Sequence, residues 1–194
     1  MHRSKVNNQK RGLINAMLKS YTNFPDAFLR QKKLAEGEKT VLLYAFLSSI
    51  FLFMAQLPNQ LQNWYTSSTK DPLLNFVGTL FFVALFFTPL LLYAVCSIIH
   101  LLLKVFGARG SFFELRLAFF WSLIIAAPAL LLGGMVRGYL PDIFLSKIVD
   151  GGANILLAWI MSNNICLAEG FKSPLPLFVF LILVYFFTSF TIGL

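Results

Sequence analysis

From Leu73 to Leu103 the chain runs for 31 residues without a single Lys, Arg, Asp or Glu. Wound as a helix this run would reach ~46 Å, against ~30 Å for the hydrocarbon of a bilayer. It is too long for one upright span and too short for two. It must tilt, kink at Thr88-Pro89, or project past the membrane. Four more apolar runs flank it, at about Thr40 to Leu57, Phe112 to Val136, Gly152 to Ala168 and Leu175 to Leu194. The pattern predicts an all-α, polytopic integral membrane protein with five transmembrane helices.

Bulk composition agrees. Of the 194 residues, 58% are apolar and 12% are charged, where soluble domains are about 45–50% apolar and about 25% charged. So few charges cannot wet a soluble surface, and 22 phenylalanines exceed what one small core can bury. Five spans at about 20 residues each leave only short loops and one N-terminal segment. No second folded domain is expected.

The breaks between runs carry the punctuation. Pro58-Asn59 is expected to close the first span, with Trp64 and Tyr65 in a polar loop as interface anchors. Asp71 before Pro72 reads as a helix N-cap. Gly107-Ala108-Arg109-Gly110-Ser111 forms a tight loop into the third span, which carries Pro128 at its middle. Gly133-Gly134 and an Arg137-Gly138 turn are expected to end that span. Ser173-Pro174-Leu175-Pro176 introduces the fifth.

Residues 1–37 read as a basic amphipathic segment preceding a membrane domain at 38–194. Leu13, Met17, Tyr21, Phe24 and Phe28 step by three or four, a helix stripe that Ile14 and Leu18 widen. Lys10, Arg11, Asn15 and Lys19 face other directions. Pro25 divides the stripe into two short helices meeting at Asn23–Pro25. Two placements stay open: flat in the membrane interface, or packed under the bundle.

Charge sets the expected orientation. Residues 1–39 hold nine basic residues against three acidic, a net +6 of the chain's +8. With the N-terminus inside, cytoplasmic segments carry 13 of the Lys and Arg residues and the opposite side three, as the positive-inside rule requires. Five spans then put the C-terminus outside, in a bacterial inner membrane. The first apolar run starts about 40 residues in and lacks a small-residue cleavage site, so the first span is expected to serve as its own insertion signal. Anionic lipid head groups suit such charge, with Arg30, Lys32, Lys33 and Arg109 as candidate contacts for lipid or for another membrane or peripheral protein. An oligomer is compatible with this plan. No zinc-finger, helix-turn-helix or single-strand-binding pattern supports nucleic acid.

The residues able to do chemistry are few. Cys96 and His100 share a helix face, but two ligands do not make a zinc site. Cys166 stands alone. Asp142 and Asp150 lie eight apart in the expected outer loop, without the oxygen-rich surroundings of a cation site. Glu169 ends the fourth span near Lys172. Glu114 and Arg116 open a membrane helix two positions apart and point in different directions, so each needs another partner or snorkels to the interface. Asn163 and Asn164, in the most polar span, read as interhelical hydrogen-bonding groups or as part of a polar pathway. No nucleophile with a base, phosphate loop or metal cage is legible. The reading is a non-enzyme without cofactor or metal, and the alternative is a small-solute or lipid transporter or channel built on the polar fourth span with hinges at Pro89 and Pro128.

One stretch carries a family pattern. A Gly-rich loop (Gly107, Gly110) leads into a span begun by Ser111-Phe112, with Trp121-Ser122 in its core and Pro128 within it. This resembles the bacterial branch of the Yip family, the Ypt-interacting-protein domain, over residues 38–190. The resemblance implies five spans and no catalytic residues. It also implies kinship with eukaryotic adaptors that engage Rab-type GTPases through a long acidic or Pro-rich arm, whereas the arm here is short and basic.

Overall fold

The computed structural model describes residues 16–17, 20–21, 24–35, 37–67, 72–140 and 144–192, the side chains of 24–25 and 188–192 excepted. Lys10, Arg11, Leu13, Ile14, Asn15, Leu18, Lys19, Asn23, Asp71 and Asp142, named above, lie outside these residues, as does Leu194. Six helices follow in order: α1 (Phe24–Leu34), α2 (Glu38–Thr66), α3 (Leu73–Val105), α4 (Phe112–Tyr139), α5 (Phe144–Glu169) and α6 (Leu175–Ile192). There is no strand among the described residues. Helices α2 to α5 are long and apolar enough to cross a bilayer, while α6 is shorter. The chain is an all-helical membrane protein.

The centre of the bundle is α4. Between Leu115 and Ala127 every residue except Arg116 is buried, the mark of a helix apolar on all sides and enclosed by others. Phe120, Trp121, Ile124 and Ile125 form its core with Val41 and Ala45 of α2 and Ile160 and Ile165 of α5. Helices α2 and α5 flank α4, α3 leans on α2 and α4, and α6 leans on α5.

Paired residues give the directions. Glu38 meets Arg116, and Ala55 meets Gly134, so α2 runs parallel to α4. Gly110 meets Glu169 and Arg137 meets Asp150, so α5 runs antiparallel. Phe53–Phe81 and Trp64–Phe76 ring contacts set α3 antiparallel to α2, and Trp159–Phe178 ties α5 to α6. One end of the bundle therefore gathers the starts of α2 and α4 with the ends of α3 and α5. It is called the basic end below.

Three expected boundaries move outward. Helix α2 continues through Pro58 to Thr66, so Trp64 and Tyr65 sit on a helix rather than in a loop. Helix α4 passes Gly133-Gly134 and Arg137-Gly138 without a turn and ends at Tyr139. Helix α5 begins at Phe144, which makes Asp150 helical. The physical reason is shared: in an apolar surround each backbone group freed by ending a helix stays unsatisfied, so Pro and Gly are carried inside the helix instead.

The glycines also serve packing. A methyl group on Gly134 would come 1.9 Å from the Ala55 carbonyl oxygen, and one on Gly138 2.3 Å from Pro58 Cβ. Gly134 and Gly138 are four apart and share a face, the small-xxx-small pattern that lets two membrane helices touch backbone to backbone.

Helix α1 packs against α4 and α5. Lys32 pairs with Glu114, and the Tyr21 hydroxyl donates to the Ile125 carbonyl. Both partners are eleven residues apart, so the segment runs antiparallel to the first half of α4 over ~16 Å. Phe28 is fully buried, and Gln31 donates to the Tyr44 hydroxyl at 2.8 Å. Ile125 lies three residues before Pro128, whose ring and missing amide weaken that turn's own hydrogen bonding.

Candidate functional site at the basic end of the bundle

The loop between α3 and α4 is built by its small residues. Gly107, at φ 82°, ends α3, with Ala108 N–H reaching back to the Leu103 carbonyl at 3.0 Å. Ser111 starts α4 by accepting from the Glu114 N–H at 3.2 Å. Between them Gly110 presses against α5. A methyl there would fall 2.3 Å from the Ala168 carbonyl oxygen and 2.7 Å from Glu169 Oε2. Only glycine allows that approach.

Glu169 closes the site. Its side chain is 0% exposed. Oε2 accepts from the Gly110 N–H at 3.0 Å, and Oε1 lies 3.1 Å from His100 Nδ1. The contact is an ion pair with a protonated imidazole and a hydrogen bond with the Nδ1–H tautomer. The Glu169 carbonyl also accepts from Arg109 N–H at 3.0 Å, while Lys104 Nζ donates to the Gly110 carbonyl at 3.3 Å. One buried carboxylate thus joins the ends of α3 and α5 and the loop entering α4. The expectation that Glu169 sits with Lys172 missed this, because His100 and Gly110 are 69 and 59 residues away in sequence.

Glu114 and Arg116 behave as two separate pairs. Glu114 binds Lys32 at 2.8 Å, and Arg116 binds Glu38. The Arg116 side chain is only 13% exposed. Its guanidinium lies 4.4 Å from the Phe112 ring centroid and 5.5 Å from that of Tyr93, and Nε donates to the Phe112 carbonyl at 3.3 Å. Of the candidate surface cations, Lys32 is committed to Glu114, while Arg30, Lys33 and Arg109 are exposed at this end.

The polar residues of α5 close on neighbours. Asn163 donates to the Trp159 carbonyl of its own helix at 2.8 Å, and Asn164 donates to Ser122 Oγ of α4 at 2.9 Å. Ser122 in turn donates to the Ala118 carbonyl at 2.6 Å. Asn164 is fully buried and its Oδ1 has no hydrogen-bond partner among the described residues. At the far end Arg137 binds Asp150 at 3.2 Å, bridging α4 and α5. Among the described residues no three His, Cys, Asp or Glu side chains gather at one point.

The structure therefore brings His100 together with an unforeseen Glu169, and Arg116 with Glu38. It leaves Asn163 and Asn164 apart from that cluster. The signal that could have found Glu169 was its position: an acidic residue closing an apolar run, level with a histidine closing another. No protein-family model, no curated protein and no solved structure matches the chain.

Proposed function

We propose that this is a non-enzymatic, Yip-like membrane protein that recruits anionic lipid or a partner protein to the cytoplasmic face, which is the basic end of the bundle. On this reading α6 is a fifth span and the N-terminus lies inside. The observation that carries it is the exposure of Arg30, Lys33 and Arg109 together at the end where Lys32 pairs with Glu114 and Arg116 with Glu38. Ion pairs join the helices, and these exposed cations face the leaflet surface, where each is worth about 1 kcal/mol toward anionic lipid.

The test uses the full chain reconstituted in nanodiscs, because α1 packs along α4 and is not expected to fold alone. Binding of small anionic vesicles should fall several-fold when Arg30, Lys33 and Arg109 are all changed to Gln. Unchanged binding removes the lipid part of the proposal. Crosslinking in cells then decides the partner part, since a protein captured by the parent chain should be lost in the same triple variant.

A further inference from the structure

Between α2 and α3 the bundle opens into a groove of about 630 Å³. Its walls are apolar, with Leu42 and Phe46 on α2 and Phe86 and Leu90 on α3, and at the basic end it is lined by Lys39 and Arg116. Along α2 it extends from Glu38 to Phe46, ~12 Å at helical rise. Pro89 also lines it, at the point where α3 lacks one amide of its hydrogen-bond ladder.

We propose that this groove holds one anionic phospholipid of the leaflet at the basic end, with its phosphate at Lys39 and Arg116 and an acyl chain between α2 and α3. The inference rests on the membrane reading of the bundle, and not on the surface cations Arg30, Lys33 and Arg109.

Charge selects the occupant's head. Arg116 is balanced by Glu38, and Lys39 has no ion-pair partner among the described residues, so the mouth of the groove carries one uncompensated positive charge. Arg116 has five N–H donors. Its Nε–H serves the Phe112 carbonyl and one Nη2–H serves Glu38, which leaves donors for a phosphate beside the Lys39 ammonium. Rings of Tyr93 and Phe112 hold the guanidinium in place.

The mouth also favours a lipid over a helix of a second copy: a phosphate satisfies Lys39 and the free Arg116 donors, whereas an apolar helix face would bury them without a partner. A single hydrocarbon chain fits along the apolar walls. Within a bilayer the chain gains little from apolar walls, because the surrounding lipid is equally apolar. Preference among lipids must then come from the charged mouth.

Native mass spectrometry of the purified full-length protein tests this, with phosphatidylglycerol and phosphatidylcholine of the same chains supplied in equal amounts. One phosphatidylglycerol should be retained, at least about fivefold over phosphatidylcholine. Leu90 is 69% exposed, so Leu90→Trp fills the groove without disturbing the core. It should cut retention about fivefold or more at an unchanged thermal midpoint. Lys39→Gln should erase the preference for phosphatidylglycerol.

Retention unaltered by Leu90→Trp, or equal retention of both lipids in the parent chain, overturns the proposal. So does a protein dimer that Leu90→Trp dissociates while no lipid is retained, since the groove would then meet a second copy. Loss of lipid in the Arg30, Lys33 and Arg109 triple variant, with Leu90→Trp silent, would sink the groove and leave the surface recruitment standing. The converse result would support the groove and count against recruitment through the surface cations.

Discussion

Glu169 and Gly110 show how much one position can hold. A carboxylate with no exposed surface is tolerated only when its lone pairs are filled, and here a backbone N–H and an imidazole fill them. Gly110→Ala should destabilise the protein by about 1–3 kcal/mol, because the new methyl must displace backbone at Ala168 rather than a flexible side chain. Thermal unfolding in mild detergent measures it, and a change within about 0.3 kcal/mol would mean that the loop is not seated as described. His100→Ala and Glu169→Ala should not add. Each alone breaks the pair, His100→Ala leaving a buried carboxylate short of a partner, so the double variant should be less destabilised than the sum by about 1 kcal/mol or more. Strict additivity would show that the 3.1 Å contact carries no energy.

Asn164 raises the same question with a different answer. Its Nδ2 reaches Ser122 while Oδ1 is unpaired and buried, so the residue is half satisfied. Hydrogen bonds between membrane helices contribute modestly, about 0.6 kcal/mol on average. Removing both polar groups together, in Ser122→Ala with Asn164→Leu, is therefore expected to change stability by under about 1 kcal/mol. The single change Ser122→Ala should cost more than the pair, because it strands the whole Asn164 amide. A larger loss in the double variant than in Ser122→Ala would contradict this ordering.

At the scale of the helix, the apolar runs were legible and their ends were not. The expected second run, 73–103, lies within two residues of α3, and the start of the third run at Phe112 coincides with that of α4. Pro58, Gly133-Gly134 and Arg137-Gly138 read as breakers because soluble chains use them so, with water ready to satisfy the freed backbone. In α2 and α4 they sit inside the helix; Gly134 and Gly138 meet Ala55 and Pro58 across a crossing with no room for a side chain, while Gly133 lies against Asp150 and Ala153 of α5. The glycine spacing from 134 to 138 was readable. Its partner, Ala55 and Pro58 of another helix, was not. Gly134→Ala should destabilise by about 2–3 kcal/mol, the upper part of the range for overpacking, since the Ala55 carbonyl oxygen at 1.9 Å belongs to backbone. Gly152, whose added methyl would meet nothing within 4 Å, serves as the control: Gly152→Ala should be neutral or stabilising by up to about 1 kcal/mol through helix propensity. Equal effects at the two glycines would argue against the close crossing.

Over the whole molecule the candidate site divides by sequence distance. His100, Glu114 and Arg116 stand out from the sequence as ionisable groups at the ends of apolar runs, whereas Glu38, Lys32 and Glu169, which complete their pairs, are assigned only once the helices are packed. The same packing fixes which loops share a side. Arg109 and Lys172 belong to the end where α3 and α5 finish, while Ser67 and Tyr139 belong to the opposite end. Single cysteines placed at these four positions, with Cys96 and Cys166 changed to Ala, translate that geometry into a measurement. A membrane-impermeant maleimide applied to intact spheroplasts should label positions 67 and 139, and should reach 109 and 172 only after permeabilisation. The reverse pattern would turn the bundle over and remove the cytoplasmic assignment of its basic end. A mixed pattern within either pair would break the antiparallel arrangement itself. A C-terminal tag accessible from outside, alongside 67 and 139, supports α6 as a fifth crossing; a tag found with 109 and 172 means that α6, at 18 residues the shortest of the bundle's five long helices, turns back or lies along the surface.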